Sequence, residues 1–168
     1  MSWDYGRLVA EVYELDKPVG SSFPGLRYIM LLDGRDAVPR ALAAFRESLF
    51  SGGRLILDVG VPELITGPAP MRYWERDPYL WTLQDMRTVY DPVANQTTSF
   101  LRYEKWRDGA LVATELQRFR LQYWGLTEFE RLLVDAGFTD ISVTADYRDD
   151  HRPRPDSEVW TFHAIRPR

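Results

Sequence analysis

The chain has 168 residues, of which 45% are hydrophobic and 27% charged, and it carries a net charge of -4 at pH 7. This composition indicates one globular domain, and the acidic balance argues against a nucleic-acid-binding protein, which usually has a basic face. Cysteine is absent, which excludes disulfides, thiol nucleophiles and zinc–thiolate sites. No apolar run approaches ~20 residues and no apolar leader follows a basic one, so we expect a cytoplasmic protein without a membrane span.

Residues 3–15 are predicted to form the first helix, because apolar residues recur there at three- and four-residue spacing. Its apolar side consists of Tyr5, Leu8, Val9, Val12 and Tyr13. A loop rich in proline, glycine and serine follows over residues 17–25. The apolar segment 26–32 fits either a strand or the start of the next helix, since periodicity cannot separate the two over so short a run.

Residues 36–63 organise the rest of the chain. Asp36 is predicted to cap a helix with one apolar stripe. The stripe consists of Val38, Leu42, Phe45 and Leu49. Gly52 and Gly53 are predicted to end this helix in the left-handed cap geometry. Residues 55–59 show little polar alternation, which is typical of a strand covered on both faces, as in an α/β sheet.

Residues 63–84 contain prolines among aromatic residues, and we expect an irregular aromatic segment there. Its aromatic members are Tyr73, Trp74, Tyr79 and Trp81. Three long strand-like runs follow over residues 85–124, with a turn at 91–96 between the first two. Asp108-Gly109 separates the second from the third, and both positions tolerate positive φ. Residues 85–124 are therefore predicted to form an antiparallel meander.

Thr127 and Glu130 have the spacing of a capping box, which predicts a helix that ends at Gly137. Two further strands are predicted at residues 138–145 and 159–165. No internal repeat and no long linker divides the chain, so we expect a single domain.

Residues 43–59 resemble one place in the class I S-adenosylmethionine-dependent methyltransferases. They look like the helix before the fifth strand of that family, followed by the strand itself. The family has Pro-Gly-Gly between the two, and this chain has Ser51 before Gly52 and Gly53.

The C-terminal part is similar to the same family. Residues 118–138 look like its late strand, helix and Ala-Gly-Phe turn. Residues 12–16 resemble the N-terminal helix of its small-molecule subgroup, the sugar-amine and glycine N-methyltransferases. The resemblance covers residues 1–22 and 32–166.

The resemblance implies a fold that is α/β, or α+β in effect. It would be a partial Rossmann-like methyltransferase sheet with an antiparallel meander inserted at residues 85–124. In the subgroup, that inserted sheet covers the substrate and builds the dimer. Four segments make up the expected domain 1–168. They are the N-terminal helix and loop (1–25), the Rossmann-like remnant (26–62), the substrate and dimer sheet (63–124) and the C-terminal helix with two strands (125–168).

The family's cofactor is S-adenosylmethionine, and the resemblance alone suggests it for this chain. The sequence contains no Gly-x-Gly-x-Gly, the pattern that lets the backbone approach such a cofactor. The similarity passes from the N-terminal loop directly to the segment before the helix at 36–49. We therefore expect that the N-terminal cofactor-binding half, with the family's first four strands, is missing and that the cofactor site is atypical or lost.

Without the family's fourth strand, the strand at 54–60 would expose one edge, and such edges attract other strands. We expect residues 26–32 or a second copy of the chain to cover this edge. A homodimer through this edge or through the meander at 85–124 is therefore predicted.

Six residues are candidates for binding a small molecule. They are Tyr5, Tyr13, Trp74, Arg118, Arg120 and Trp124. The two tyrosines line a pocket or only pack the first helix. The two arginines and Trp124 alternate along one face of a strand, towards a substrate or towards solvent. Trp74 stacks on a flat substrate or packs in a core or interface.

No catalytic residue follows from the sequence. Asp58 ends a strand and is a general base if burial raises its pKa, or otherwise a plain hydrogen-bonding group. The adjacent residues Asp149, Asp150 and His151 do not predict a metal site, because three neighbours rarely point at one ion.

Two classes of function remain. One is an enzyme, either a methyltransferase whose cofactor site is rebuilt across a dimer or a cofactor-independent enzyme for natural products. The other is a non-catalytic binding or assembly protein, such as a partner of an intact methyltransferase. A segment deleted from the gene near Phe23 would give the same pattern. In each case we expect a small-molecule ligand, and neither nucleic acid nor membrane as a partner.

Overall fold

A computed structural model of the chain describes residues 7–16, 27–32, 34–62 and 70–168. The chain divides into two compact units. The first comprises Met1–Phe23, Leu64–Asp91 and Thr97–Arg120, and the second comprises Pro24–Glu63, Pro92–Gln96 and Leu121–Arg168. Each unit has its own sheet and its own hydrophobic core.

The described helices and strands are numbered along the chain. The helices are α1 (Arg7–Asp16), α2 (Ala37–Ser48) and α3 (Leu126–Asp135), and a short 3₁₀-helix spans Arg27–Leu31. The strands are β1 (Arg54–Gly60), β2 (Arg72–Arg76), β3 (Tyr79–Asp91), β4 (Gln96–Arg107), β5 (Ala110–Gln122), β6 (Thr139–Ala145) and β7 (Val159–Ile165). None of these helices is both long enough and apolar enough to span a membrane.

The first unit is built on the four-stranded sheet β2-β3-β4-β5. Helix α1 packs on this sheet through Leu8, Val9 and Val12, which lie on the apolar side predicted for that helix. The sheet contributes Trp81, Leu83 and Tyr103 to the same core. Burial of these side chains is what holds the short α1, because a helix of this length is marginal in water by itself.

The prediction of an irregular segment over residues 63–84 was wrong for its second half. Strand β2 and the start of β3 lie there, and Trp74 pairs with Trp81 across them. Aromatic side chains suit a pleated, half-buried surface, and the turn at Asp77-Pro78 joins the two strands. Residues 63–69 lie outside the described part of the chain. The three strands predicted within 85–124 are confirmed, and β2 makes the meander four-stranded.

The second unit contains the antiparallel sheet β1-β7-β6. Helices α2 and α3 cover one of its faces. Val38 and Leu42 from α2 and Phe129 and Leu133 from α3 are fully buried in its core. Phe162 of β7 meets Phe129 there, with ring centres 4.8 Å apart. The predicted apolar stripe of α2 and the two predicted C-terminal strands are confirmed.

Strand β1 was predicted to be covered on both faces, and this is true only of its C-terminal part. Arg54 and Ile56 are exposed on the face away from the helices, whereas Asp58 and Gly60 are buried. Arg54 and Ile56 are exposed because α2 and α3 cover only the opposite face of this small sheet.

The free edge of β1 is partly covered by the short helix at Arg27–Leu31, which takes the place of a strand in segment 26–32. At the two ends of the β1–β7 pair, the carbonyl oxygen of Gly53 accepts from the N–H of Arg166, and the N–H of Val61 donates to the carbonyl oxygen of Glu158. Bonded pairs alternate along an antiparallel ladder, so the backbone N–H and C=O groups of odd-numbered residues in β1 point towards β7. The backbone groups of even-numbered residues therefore point to the free edge. One of them, the N–H of Gly60, donates to Sδ of Met30 at 3.1 Å.

The ends of the helices differ from the predictions. Asp36 has helical dihedral angles and makes no capping bond through its side chain. Helix α2 ends at Ser48, and Gly52, with φ +77°, turns the chain into β1 several residues later. Helix α3 begins at Leu126, so Glu128, not Glu130, accepts the N–H of Gly125 in the first turn.

Candidate functional site

Two groups of charged and aromatic side chains stand out in the first unit. The first group, called the Lys105 cluster below, consists of Glu11, Tyr79, Trp81 and Lys105. The second group surrounds a cavity at the ends of two hairpins, called the hairpin-tip cavity.

The Lys105 cluster joins α1 to the sheet. Nζ of Lys105 donates to Oε2 of Glu11 at 2.7 Å, and Nε1 of Trp81 donates to the same oxygen at 3.0 Å. The ammonium group also lies 4.3 Å from the ring centre of Tyr79 and 4.9 Å from that of Trp81. The hydrogen bond from Lys105 holds the pKa of Glu11 below its usual range, and the Trp81 bond acts in the same direction.

A second carboxylate supports the start of α1. Oε1 and Oε2 of Glu115 accept the backbone N–H groups of Leu8 and Val9, at 3.0 and 3.2 Å. These N–H groups have no partner within the helix, and the positive end of the helix favours a carboxylate. The charges of this region thus pair with one another, and their evident role is to dock α1 on the sheet.

The hairpin-tip cavity has a volume of about 340 Å³, which falls in the range of small-molecule sites, roughly 300–1,000 Å³. Three carboxylates line it, those of Glu75, Asp77 and Asp108. Tyr79, Leu80 and Trp106 are among its other lining residues. The Trp106 indole lies on the face of the sheet that carries Thr82, whereas the Tyr79 ring packs with Trp81 and Lys105 on the face that α1 covers. The cavity therefore combines a net negative charge with apolar lining residues such as Leu80 and Trp106.

Two turns position these side chains. The β2–β3 turn carries Asp77, and the β4–β5 turn carries Asp108 and Gly109 with φ values of +51° and +75°. Positive φ at both central residues matches the twist of the strands in a two-residue hairpin. Trp106 is held by its neighbour on β3, because its Nε1 donates to Oγ1 of Thr82 at 3.4 Å.

The structure describes the side chains of four of the six predicted site residues, which are Trp74, Arg118, Arg120 and Trp124. Trp74 packs at the edge of the core below α1, with the Arg72 guanidinium 5.8 Å from its ring centre. Arg118 and Arg120 are exposed on alternate positions of β5. Tyr5 lies outside the described residues, as does the side chain of Tyr13, whose backbone belongs to α1.

Trp124 belongs to the other unit. It is buried against Phe129, with ring centres 6.3 Å apart. The Arg35 guanidinium lies 4.6 Å from its ring centre and forms an ion pair with Glu128. These contacts make Trp124 a core residue of the second unit.

Asp58 is buried, and its Oδ1 accepts a hydrogen bond from Oγ1 of Thr161 at 2.7 Å. This bond gives Asp58 the plain hydrogen-bonding role. Within the described ranges, no group of three or more acidic, histidine or cysteine side chains is placed to hold a metal ion.

The cavity residues were missed at the level of sequence, although two local signals pointed to them. Asp77-Pro78 and Asp108-Gly109 are both turn signals; Tyr79 directly follows the first, and Trp106 stands two positions before the second. Only the pairing of the strands shows that the two turns lie at the same end of one sheet.

The described residues do not fit a site for a nucleoside cofactor such as S-adenosylmethionine. Such sites use a parallel strand followed by a glycine-rich turn and the N-terminus of a helix. Both sheets here are antiparallel. The first turns of α1 and α3 already bind carboxylates of the chain itself, those of Glu115 and Glu128.

No protein-family model matches the chain, and no curated protein matches it. Several solved structures are similar to the chain. The sugar N-methyltransferase KedS8 from Streptoalloteichus aligns with 87% of the chain at 17% identity, with a TM-score of 0.66. An S-adenosylmethionine-dependent methyltransferase from Clostridium acetobutylicum aligns with 85% of it at 13% identity, with a TM-score of 0.65.

The chain shares its fold with part of these methyltransferases. It spans 54% of the first structure and 56% of the second, so the likeness covers little more than half of each. CalS10, an amino pentose methyltransferase from Micromonospora echinaspora solved with S-adenosylmethionine bound, aligns over 82% of the chain and 54% of its own length, at 15% identity and a TM-score of 0.58. The resemblance inferred from the sequence is thus confirmed for the fold.

Proposed function

We propose that this chain is a small-molecule-binding relative of the S-adenosylmethionine-dependent methyltransferases, and that its ligand binds in the hairpin-tip cavity. The observation that carries the proposal is the cavity itself. It has the volume of a small-molecule site, and Trp106 lines it together with polar groups that can orient a ligand.

A sugar-like ligand is the class that we propose first. Two of the structures with the same fold are named for a sugar and for an amino pentose. Aromatic rings such as that of Trp106 offer a flat apolar surface, and carboxylates such as that of Glu75 accept hydrogen bonds from hydroxyl groups. Both are present in the cavity.

We further propose that the chain alone does not hold S-adenosylmethionine. The mismatch between the described residues and a nucleoside-cofactor site supports this. Methyl transfer would then require a second protein that supplies the cofactor-binding half, and the likeness to just over half of each methyltransferase favours such a partner.

A homodimer through the meander is the assembly that we propose. Met86, Val112 and Leu116 are exposed on its strands, with Leu116 at 67% exposure. Val112 and Leu116 lie on the same face of β5, because side chains alternate along a strand, and we propose that this face carries the contact between the two copies. The free edge of β1 is the weaker alternative, because the short helix at Arg27–Leu31 already contacts it through Met30.

Nuclear magnetic resonance of the ¹⁵N-labelled chain tests ligand binding. We expect sugars from a panel of neutral and amino pyranosides to shift the indole N–H resonance of Trp106 at millimolar concentration. Glu75→Gln should weaken the shift, and Asp140→Asn, which removes an exposed carboxylate from the other unit, should not. If no sugar in the panel moves the Trp106 resonance, the cavity is not the binding site.

A further inference from the structure

We infer that two copies of the chain pair their β5 strands antiparallel about a two-fold axis at Thr114, and that Arg118 and Arg120 of each copy complete the hairpin-tip cavity of the other. In a single copy these arginines lie roughly 30 Å along β5 from the turn at Asp108-Gly109, at about 3.4 Å per residue. The inference rests on the proposed function, because it names the assembly in which the cavity binds its ligand.

Strand β5 has one side on which another strand can pair. Among the described strands of its sheet, β4 is its single neighbour, and β5 is 13 residues long. Val112 and Leu116 are 52% and 67% exposed on it. A long edge strand that exposes apolar side chains is a template for another strand, and a second copy of the chain provides one.

The exposed face of β5 is complementary to itself in the antiparallel direction. Pairing centred on Thr114 places Val112 of one copy opposite Leu116 of the second copy. The same register places Asp108 opposite Arg120 of the second copy. The two-fold axis repeats both pairs, so apolar side chains meet in the centre and opposite charges meet at both ends.

Shifting the register by two pairs destroys this match. Pairing centred on Val112 would put Leu116 opposite Asp108 of the second copy, and pairing centred on Leu116 would put Val112 opposite Arg120. In both cases an apolar side chain faces a charge. The register of paired strands follows their apolar pattern, which favours the axis at Thr114.

The cavity of a single copy lacks the hydrogen-bond donors that such arginines supply. Glu75, Asp77 and Asp108 are carboxylates, which only accept hydrogen bonds when ionised. No lysine or arginine is among the described lining residues, and the indole N–H of Trp106 is engaged by Thr82. A hydroxylated ligand both donates and accepts. The guanidinium groups of the second copy provide the donors and carry the charge opposite to that of the cavity.

The register can be read from disulfides, because the chain has no cysteine of its own. Thr114→Cys places two thiols on the two-fold axis, where facing Cα atoms are about 5.5 Å apart and within reach of a disulfide. We expect this variant to form a linked dimer under mild oxidation. Val112→Cys alone should not link, since its two copies are about 14 Å apart along the pair. Val112→Cys combined with Leu116→Cys should link.

The contribution of the arginines is measured in the dimer linked through Thr114→Cys, so that loss of assembly cannot explain the result. Arg120→Met should weaken the binding of pyranosides, followed at the Trp106 indole resonance, about tenfold, as expected for the loss of one charge-assisted hydrogen bond. Arg131→Met is the control. It removes an equal charge from an exposed ion pair on α3 in the other unit and should leave the affinity unchanged.

Failure of Thr114→Cys to link, or linking of Val112→Cys alone, would overturn the register and the inference. Sugar binding by the unlinked chain would then leave the proposed function standing. Equal affinities of the two arginine variants would overturn the composite site. The expected links without any sugar shift at Trp106 would overturn the proposed site, and the composite site with it.

Discussion

Lys105 on β4 and Glu11 on α1 are 94 positions apart in sequence, and their side chains meet at 2.7 Å. The side chains are 16% and 30% exposed. A charge-assisted hydrogen bond in so protected a place is among the stronger polar contacts of a protein. It ties the first helix to the meander.

Replacing Lys105 by methionine should therefore destabilise the protein. The change removes the ammonium group and leaves Glu11 with Trp81 as a hydrogen-bond donor. We expect a loss of about 1–2 kcal/mol in the free energy of unfolding, measured with urea. Arg131→Met removes an exposed ion pair from α3 and should cost less than about 0.5 kcal/mol. Similar costs for the two variants would show that the Lys105 contact does not stabilise the fold.

The stabilising effect of Glu11 should disappear in acid. Its folded-state pKa is lowered, chiefly by the bond from Lys105, so the contribution is complete above the unfolded pKa of ~4.3. The contribution is lost as the pH falls through the folded pKa. Wild type should thus be more stable than Glu11→Gln at neutral pH, and the difference should shrink towards about pH 3. A difference that stays constant over this range would contradict the assignment.

Gln122 should be costly to replace, although it is a polar residue near the end of a strand. It is buried, and its Nε2 donates to the carbonyl oxygens of Ala94 at 2.8 Å and Asn95 at 3.1 Å. Gln122→Leu leaves these carbonyls without that donor, and we expect a loss of about 1–3 kcal/mol in a urea titration. Gln84→Leu, which removes a single contact with Arg102, should cost less. The opposite order would contradict the role of Gln122.

Gly137 and Gly34 form a matched pair for separating backbone strain from crowding. Both have φ +84°. A Cβ at Gly137 would lie 3.0 Å from Nε of Arg46, whereas a Cβ at Gly34 would meet nothing within 4 Å. Alanine at either position must keep the left-handed backbone conformation, which destabilises the protein by about 1–2 kcal/mol. Gly137→Ala should lower the melting temperature further, because Arg46 must move and its bond to the Gly137 carbonyl is strained. Equal shifts would mean that Arg46 moves freely.

Much of the second unit could be predicted from sequence, because its signals are local. The stripe of Val38 and Leu42 indicates one buried helix face, and Gly137 indicates where α3 ends. The strands β6 and β7 follow from alternation and apolar content. The caps could not be predicted as well, since a shift of two residues in the start of α3 moves the capping carboxylate from Glu130 to Glu128.

The candidate site depended on contacts that no local pattern contains. Trp74 and Trp81 look like members of a loop until β2 is paired with β3. The cavity arises because turns at residues 77–78 and 108–109 lie at one end of one sheet. The alternation of side chains along a strand correctly predicted that Arg118 and Arg120 lie on one face of β5. It could not show that this face is exposed to solvent.

The central claim is that the chain carries a small-molecule site and no cofactor site of its own. Isothermal titration of the purified chain with S-adenosylmethionine tests it most directly. We predict no binding heat up to millimolar cofactor, because the described helices and strands lack the strand, turn and helix arrangement that holds a nucleoside. Saturable binding with a micromolar dissociation constant would contradict the claim and show that this chain completes a cofactor site by itself.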